Sequence, residues 1–455
     1  MIDGMFLTIK EFAMQLRPAL LLPIFAWISL ANVEFSLAYD WPQWNGPTRD
    51  GRISDLEFST NLDLTKVKEL WQTPISHGYS GPAVIGQQVV VTDLQIESGK
   101  ITNNPGGRDK LSGRERVLCL DRSTGKLIWK HDYAVDYLVS YGAGPRATPT
   151  IANNRIYTLG AEGHLICFDA PSGTILWQRN LRDDYKTETP MWGYASPPLV
   201  IGDQLIVLAG GKGSTYVSLN TDSGVEQWRS GSASNIGYSP PMWIEVDGSR
   251  QLIVWDADAL RSLELKTGKE LWSTPLSPRF EMSIMAPVVS GNRLYASGIG
   301  QVSGLFELLR DAQGVKTLWT GKPKMSVYCS NSTPVFDGKY LYGCDCDAGT
   351  LMCVDSDNGA RLWETSKPIT DSERPARHGT IFLSKAKDGY SIFSENGDLI
   401  MADLTPEGYR EKSRIKLIEP TNECFGRKVV WAYPAYSKNQ IFVRNDKVMK
   451  CFSLR

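Results

Sequence analysis

The residue types best suited to holding a ligand recur at one place in a repeated phrase. Three or four positions ahead of successive short apolar runs stand Tyr79, Arg146, Tyr194, Tyr238, Ile284, Asn331, Arg377 and Trp431. Tyr and Trp rings give flat stacking surfaces, and an arginine fork clamps a carboxylate or phosphate. Tyr79, Arg146, Tyr194, Tyr238, Asn331, Arg377 and Trp431 are therefore the candidate ligand-binding set. Trp192, His378, Glu281, Tyr328, Lys428 and Tyr433 follow close by in the chain. Such a wall suits a quinone, a glycan or a peptide. Taken singly, a Tyr is packing and an acid beside Gly is a turn former. Taken as a ring, the set reads as a binding surface, because Arg146 and Arg377 stand where packing needs neither.

A second set consists of acids: Asp93, Glu162, Asp256, Asp258, Asp345, Asp347 and Glu395. They occupy turns expected to reach the same rim, where they would hold a cation or, for Asp345 or Asp347, act as a general base. The chain has four histidines, His77, His131, His164 and His378, and none sits in a nucleophile or metal motif. No catalytic residue and no metal ligand is assigned.

A shared rim requires an architecture that brings equivalent positions of a repeat together. Six stretches carry a turn ending in Gly and, four or five residues later, a Trp: Leu118 to Trp129, Ile166 to Trp177, Val217 to Trp228, Ser262 to Trp272, Leu308 to Trp319 and Cys353 to Trp363. Between them runs a second phrase of a small residue, Pro, an apolar run, a Gly or Asn turn and an alternating strand. Its copies begin at Ser80, Ala147, Ser196, Ser239, Met285, Ser332 and Ala432, and an eighth from His378 lacks the Pro. Short Val-, Ile-, Leu- and Tyr-rich runs bounded by turn residues are strands, and no sustained helical period appears. Four strands in about 45 residues make one propeller blade. The expected fold is all-β, an eight-bladed propeller of four-stranded antiparallel blades. The first Trp phrase, Lys66 to Ile75, lacks a preceding strand, and the last repeat stops one strand short. The N-terminal strand should therefore pair with the last blade and close the ring, removing open edges. The seventh repeat carries Arg414 to Leu417 where its Trp phrase belongs.

Composition narrows the partners. The net charge is -1 without a basic patch, so nucleic acid is not expected. Lys10 and Arg17, the apolar run Pro18 to Ala31 and the small residues near Ala38 have the order of an export signal, with Met1 or Met14 as the start. The expected organisation is a signal peptide over 1–38, a leading segment over 39–65 and the propeller over 66–455. The mature chain is expected to be periplasmic or secreted, not membrane-spanning, and monomeric. Of eight cysteines, Cys119, Cys167, Cys353 and Cys451 share one slot in different blades and should be buried thiols. A bridge from Cys329 to Cys344 or Cys346 is the alternative to free thiols there.

The pattern x-D-x-x-T-G-x-x-x-W, closest at Leu120 to Trp129 and Leu263 to Trp272, resembles the repeat of the PQQ-like, or quinoprotein-type, β-propellers. The segment Trp41 to Gly51 resembles the N-terminal signature of secreted bacterial members. The resemblance implies an eight-bladed ring and one of two roles. Quinoprotein dehydrogenases hold pyrroloquinoline quinone (PQQ) and usually calcium in the channel mouth; BamB and its relatives bind protein. The dehydrogenase branch implies adjacent cysteines, and Cys344-Asp345-Cys346 is the nearest approach. It also implies long insertions, and Gln95 to Glu115 is the only sizeable one. No C-x-x-C-H haem motif occurs, and the lipid-modified Cys usual in BamB relatives is also missing. The expectation is an exported, non-catalytic scaffold binding a protein or cell-envelope component, with no cofactor. The alternative is a PQQ- and calcium-dependent oxidoreductase acting on alcohols or sugars.

Overall fold

A computed structural model describes residues 40–53, 58–370 and 376–455. The expected signal peptide over 1–38, with its expected cleavage near Ala38, lies outside the described residues. Eight four-stranded antiparallel sheets follow one another in chain order, as expected. Blade one spans 83–139, blade two 150–180, blade three 199–230 and blade four 242–275. Blades five, six and seven span 288–320, 335–365 and 381–416. The eighth combines three strands of 435–453 with the strand Lys68–Pro74. That strand runs antiparallel to Val448–Ser453, with Trp71 opposite Cys451 and Pro74 opposite Val448. The first strands of neighbouring blades touch one another, which makes them the lining of the central channel.

The repeated phrase is explained by one contact made between blades. Trp71, Trp129, Trp177, Trp228 and Trp319 of the outermost strands lie on the turn glycine of the next blade. A Cβ on Gly125 would stand 2.5 Å from Trp71, one on Gly173 2.4 Å from Trp129, and one on Gly268 2.3 Å from Trp228. These glycines also hold positive φ, 68°, 70° and 68°, which a side chain disfavours. The indole N–H then donates to a carbonyl of the same turn: Trp71 to Arg122 O at 2.7 Å, Trp129 to Ala170 O at 3.0 Å, Trp228 to Leu265 O at 2.9 Å. Blade five replaces that turn with the helical turn Arg310–Ala312, and Trp272 donates instead to Gln251 Oε1 of its own blade.

All eight cysteines are free and buried. Cys119, Cys167, Cys353 and Cys451 each face the Trp of the adjoining strand, filling one slot four times over. Burial pushes the thiols of Cys119, Cys167 and Cys451 up to about 12. Cys329, Cys344 and Cys346 are likewise thiols, and Cys344 Sγ donates to Gly379 O at 3.0 Å.

Three departures from the repeat shape the channel. The insertion Gln95 to Glu115 is no loose loop. It prolongs two strands of blade one, Gln88–Gly99 and Asp109–Asp121, paired as far as Gly99 and Leu111. A small extra hairpin, Asn422–Cys424 with Arg427–Val429, precedes blade eight. The tip of the insertion meets the base of this hairpin where Asn103 Nδ2 donates to Asn422 Oδ1 (2.8 Å) and Glu423 O (2.6 Å). Residues 40–53 form the third departure, because they cross the channel. Trp41 exchanges backbone hydrogen bonds with Val84 of blade one, and Ile151 of blade two donates to Pro42 O. Arg49 donates to Pro197 O and Pro198 O of blade three, both at 3.0 Å. Gly51 and Ile53 pair with Lys385 of blade seven, and Ser437 of blade eight donates to Asp40.

Candidate functional site

The loops leading into the innermost strands converge on a cavity of about 760 Å³ at one mouth of the channel. Tyr79, Arg146, Tyr238, Asn331, Arg377 and Trp431 all line it, as does Ile284. Tyr194 does not. It is buried inside its blade, with its ring under Gly163 and its hydroxyl donating to Ala209 O at 3.0 Å. In the other blades the wall residue stands four positions before the innermost strand; before Leu199 that position is Ala195, and Tyr194 lies one residue earlier. Of the neighbouring candidates, Trp192, His378 and Tyr433 line the cavity, whereas Glu281, Tyr328 and Lys428 do not. Tyr328 is buried and donates to Lys322 O.

The expected rim of acids is largely absent, and the reason is structural. Asp93 accepts from Ser76 N and from both arms of Arg116 at 2.6–2.7 Å. Glu162 accepts from Leu138 N at 2.8 Å and from Arg182, and Asp258 from Ser234 N at 2.7 Å. Asp345 accepts from Tyr328 N at 3.1 Å and Arg361 at 3.0 Å, and Glu395 from Thr380 N at 3.0 Å and Arg427 Nε at 2.7 Å. Asp256 is buried between Arg261 Nε, 2.7 Å away, and the N–H groups of Asp258 and Ala259. These carboxylates tie each hairpin turn to the arriving chain. Burial holds the Asp345 carboxyl above its usual range, and at 1% exposure it lies behind the cavity wall rather than in it. Asp347 alone of the set reaches the cavity wall.

Four further rings complete the wall: Trp44, Tyr141, Phe280 and Phe425. Trp44 belongs to the segment crossing the channel and closes the floor, packed edge-on to Tyr433 with centroids 5.5 Å apart. Tyr141, Phe280, His378 and Phe425 adopt φ of 51°, 60°, 58° and 52°. Among the described residues these are all the aromatic side chains in the left-handed region, and every one lines the cavity. A bulky residue there is costly, and such strain persists where a site requires it. His378 stacks on Phe425 at 4.4 Å, with Trp431 and Tyr141 beyond. Burial, then the nearby Arg377, pulls the His378 imidazole below its ordinary value.

The charges of the wall are unequal. Arg146, Arg279 and Arg377 face one carboxylate, Asp347. None of the three arginines makes an ion pair among the described residues. Arg146 donates instead to the carbonyls of Gly144, Ser140 and Tyr141, with its guanidinium 5.3 Å from the Tyr79 ring. Beneath the floor, Arg49 is buried against Trp44 at 5.8 Å without a carboxylate partner, and burial pulls it down to about 9. A calcium ion takes six to eight oxygen ligands. One wall carboxylate does not fit calcium, and among the described residues no three His, Cys, Asp or Glu gather closely enough to hold a metal. The calcium-bound quinone of the dehydrogenase branch is therefore not matched by this donor set, and no step is routed through it.

The family model described as outer membrane protein assembly factor BamB matches residues 113–365. The crystal structure of BamB from Moraxella catarrhalis is similar at 14% identity and a TM-score of 0.55, covering 85% of this chain and 97% of that one. A europium-containing methanol dehydrogenase is similar at 11% identity and a TM-score of 0.61, covering 94% and 100%. At such identities both likenesses speak to the fold. No curated relative matches the sequence. Among the described residues no helix is long and apolar enough to cross a membrane.

Proposed function

The chain belongs to the family described as outer membrane protein assembly factor BamB, and from that membership we propose an exported, non-catalytic scaffold. Its channel mouth captures a protein or another component of the cell envelope. The observation that carries this reading is the concentration of strained aromatic residues on one cavity. Tyr141, Phe280, His378 and Phe425 come from four separate loops, and each holds an unfavourable backbone in order to face the same space. Four independent strains gathered on one wall are better explained by recognition than by packing. The acids, by contrast, are spent on internal hydrogen bonds, which leaves the wall apolar and cationic. Export follows from the signal-like order over 1–38, and capture of one partner at one mouth suits a monomer.

A photo-crosslinking residue placed at Phe280, which is 67% exposed, tests the reading. In envelope extract it is expected to yield a discrete adduct that disappears when Arg146→Gln and Trp431→Ala are added. The same probe at Val225, 62% exposed on an outer strand turn, is expected to yield none. Equal adducts at both positions would refute the assignment.

The second reading, a PQQ-dependent oxidoreductase acting on alcohols or sugars, draws on the flat rings and arginines of the wall. Titration with PQQ and calcium followed by dye reduction separates the two. No turnover is expected, and saturable turnover would displace the scaffold reading.

A further inference from the structure

We propose that the cavity receives the C-terminal end of a polypeptide, its carboxylate on Arg146 and its last apolar side chains among the rings. This rests on the reading of the mouth as a binding site and names what it binds. Three features lead there. The first is shape. Residues 40–53 close the channel beneath Trp44, and the Asn103–Asn422 contact joins the tip of the blade-one insertion to the base of the hairpin before blade eight. A blind cavity admits the end of a chain, whereas an internal segment needs a way out. Its volume of about 760 Å³ holds a few residues.

The second feature is charge. Three arginines face one carboxylate, and the buried cation Arg49 lies behind Trp44. An ammonium end meets like charge there, while a carboxylate end meets its complement. Arg146 is also prepared for the contact. A guanidinium has five N–H donors, three carbonyl bonds occupy three, and two remain for a ligand. Those carbonyls and the Tyr79 ring fix the guanidinium before a ligand arrives, which reduces the ordering cost of binding.

The third feature is polarity. The short polar side chains of the wall are Thr148, Ser330, Asn331 and Asp347, set among ten aromatic or imidazole rings. A glycan presents hydroxyls on every face and needs more partners than these. Apolar side chains ending in a carboxylate match what is present.

The test uses the mature protein and a labelled hexapeptide ending Val-Tyr-Phe, made as the free acid and as the C-terminal amide. Fluorescence anisotropy is expected to show the acid bound about tenfold or more tightly than the amide. This comparison uses the unaltered protein, so it does not depend on a variant folding. Arg146→Gln is then expected to reduce the acid to the affinity of the amide and to leave the amide unchanged. Equal affinity for acid and amide, no binding of either, or binding of an oligoglucuronate alone overturns the proposal. If the Phe280 adduct persists while the peptides fail, the binding mouth stands and the chain-end ligand falls.

Discussion

Substituting Gly173 by Ala separates two reasons for the repeat's glycine. Its φ is +70°, and an added Cβ would stand 2.4 Å from Trp129 Cδ2. Gly202 has a similar φ of +61° and nothing within 4 Å of its would-be Cβ. Left-handed backbone costs an alanine roughly 1–2 kcal/mol. The stiffer unfolded chain returns about 0.4–1 kcal/mol. Gly202→Ala should therefore destabilise by about 0–1.6 kcal/mol. Gly173→Ala adds displacement of an indole wedged between blades, an overpacking term of about 1–3 kcal/mol. Its expected cost is about 1–4.6 kcal/mol, exceeding that of Gly202→Ala by the overpacking term. Urea unfolding followed by tryptophan fluorescence and circular dichroism reads both, with m unchanged. In a Trp129→Leu background the cost of Gly173→Ala should drop to that of Gly202→Ala, because the ring it strikes is gone. Equal costs for the two glycines, or a Gly173 cost that survives Trp129→Leu, would show that the turn and not the interblade contact demands glycine.

Phe280→Gly should be more stable than Phe280→Ala by about 0.5–1 kcal/mol, since only Gly relaxes the φ of 60°, and both variants should lose the captured partner; denaturant melts and crosslinking check this. The folded-state value of His378 is depressed by burial, so its contribution to stability is present above the unfolded value of about 6.5 and is lost as pH falls through the folded value. His378→Asn, which tolerates the same backbone, should lose less melting temperature between about pH 7 and pH 5 than the parent; parallel losses would exclude His378 as the cause. His131, depressed in the same direction, remains in both proteins and cancels. Asp256→Ala breaks a buried brace to Arg261 and should cost about 3–5 kcal/mol, whereas Asp347→Ala in the cavity wall should stay within about 0.5 kcal/mol by urea melts.

The sequence was most legible where a position repeats. Gly and Trp at a near-fixed separation placed blades one to six, the second phrase placed the other two, and the unpaired phrase around Trp71 placed the closing strand. The rim residues were legible for the same reason: equivalent positions in a ring lie at equivalent heights, which brings Tyr79, Arg146, Tyr238, Asn331, Arg377 and Trp431 together. Tyr194 failed because it stands one residue ahead of Ala195, the position that blade three carries into the wall. The acids misled because a carboxylate in a hairpin turn meets backbone N–H groups of the arriving chain before it meets solvent, and no spacing along the chain reveals that partner. Tyr141, Phe280 and Phe425 were missed because they lie in loops outside the repeat. Their inward aim depends on a backbone sign that residue type does not disclose. Trp44 belonged to a recognised signature, yet its seat across the axis follows from partners in blades distant along the chain.

Residues 40–53 touch blades one, two, three, seven and eight, and Lys68–Pro74 completes the eighth sheet. Both pieces stand near the front of the described chain, while some of their partners are among its final residues. A polypeptide made from its N-terminus therefore carries its central bolt and its clasp unpartnered until synthesis is nearly over. Final assembly must await the last strands, so a chain truncated before Val448 has no mate for its opening strand and cannot become a closed wheel.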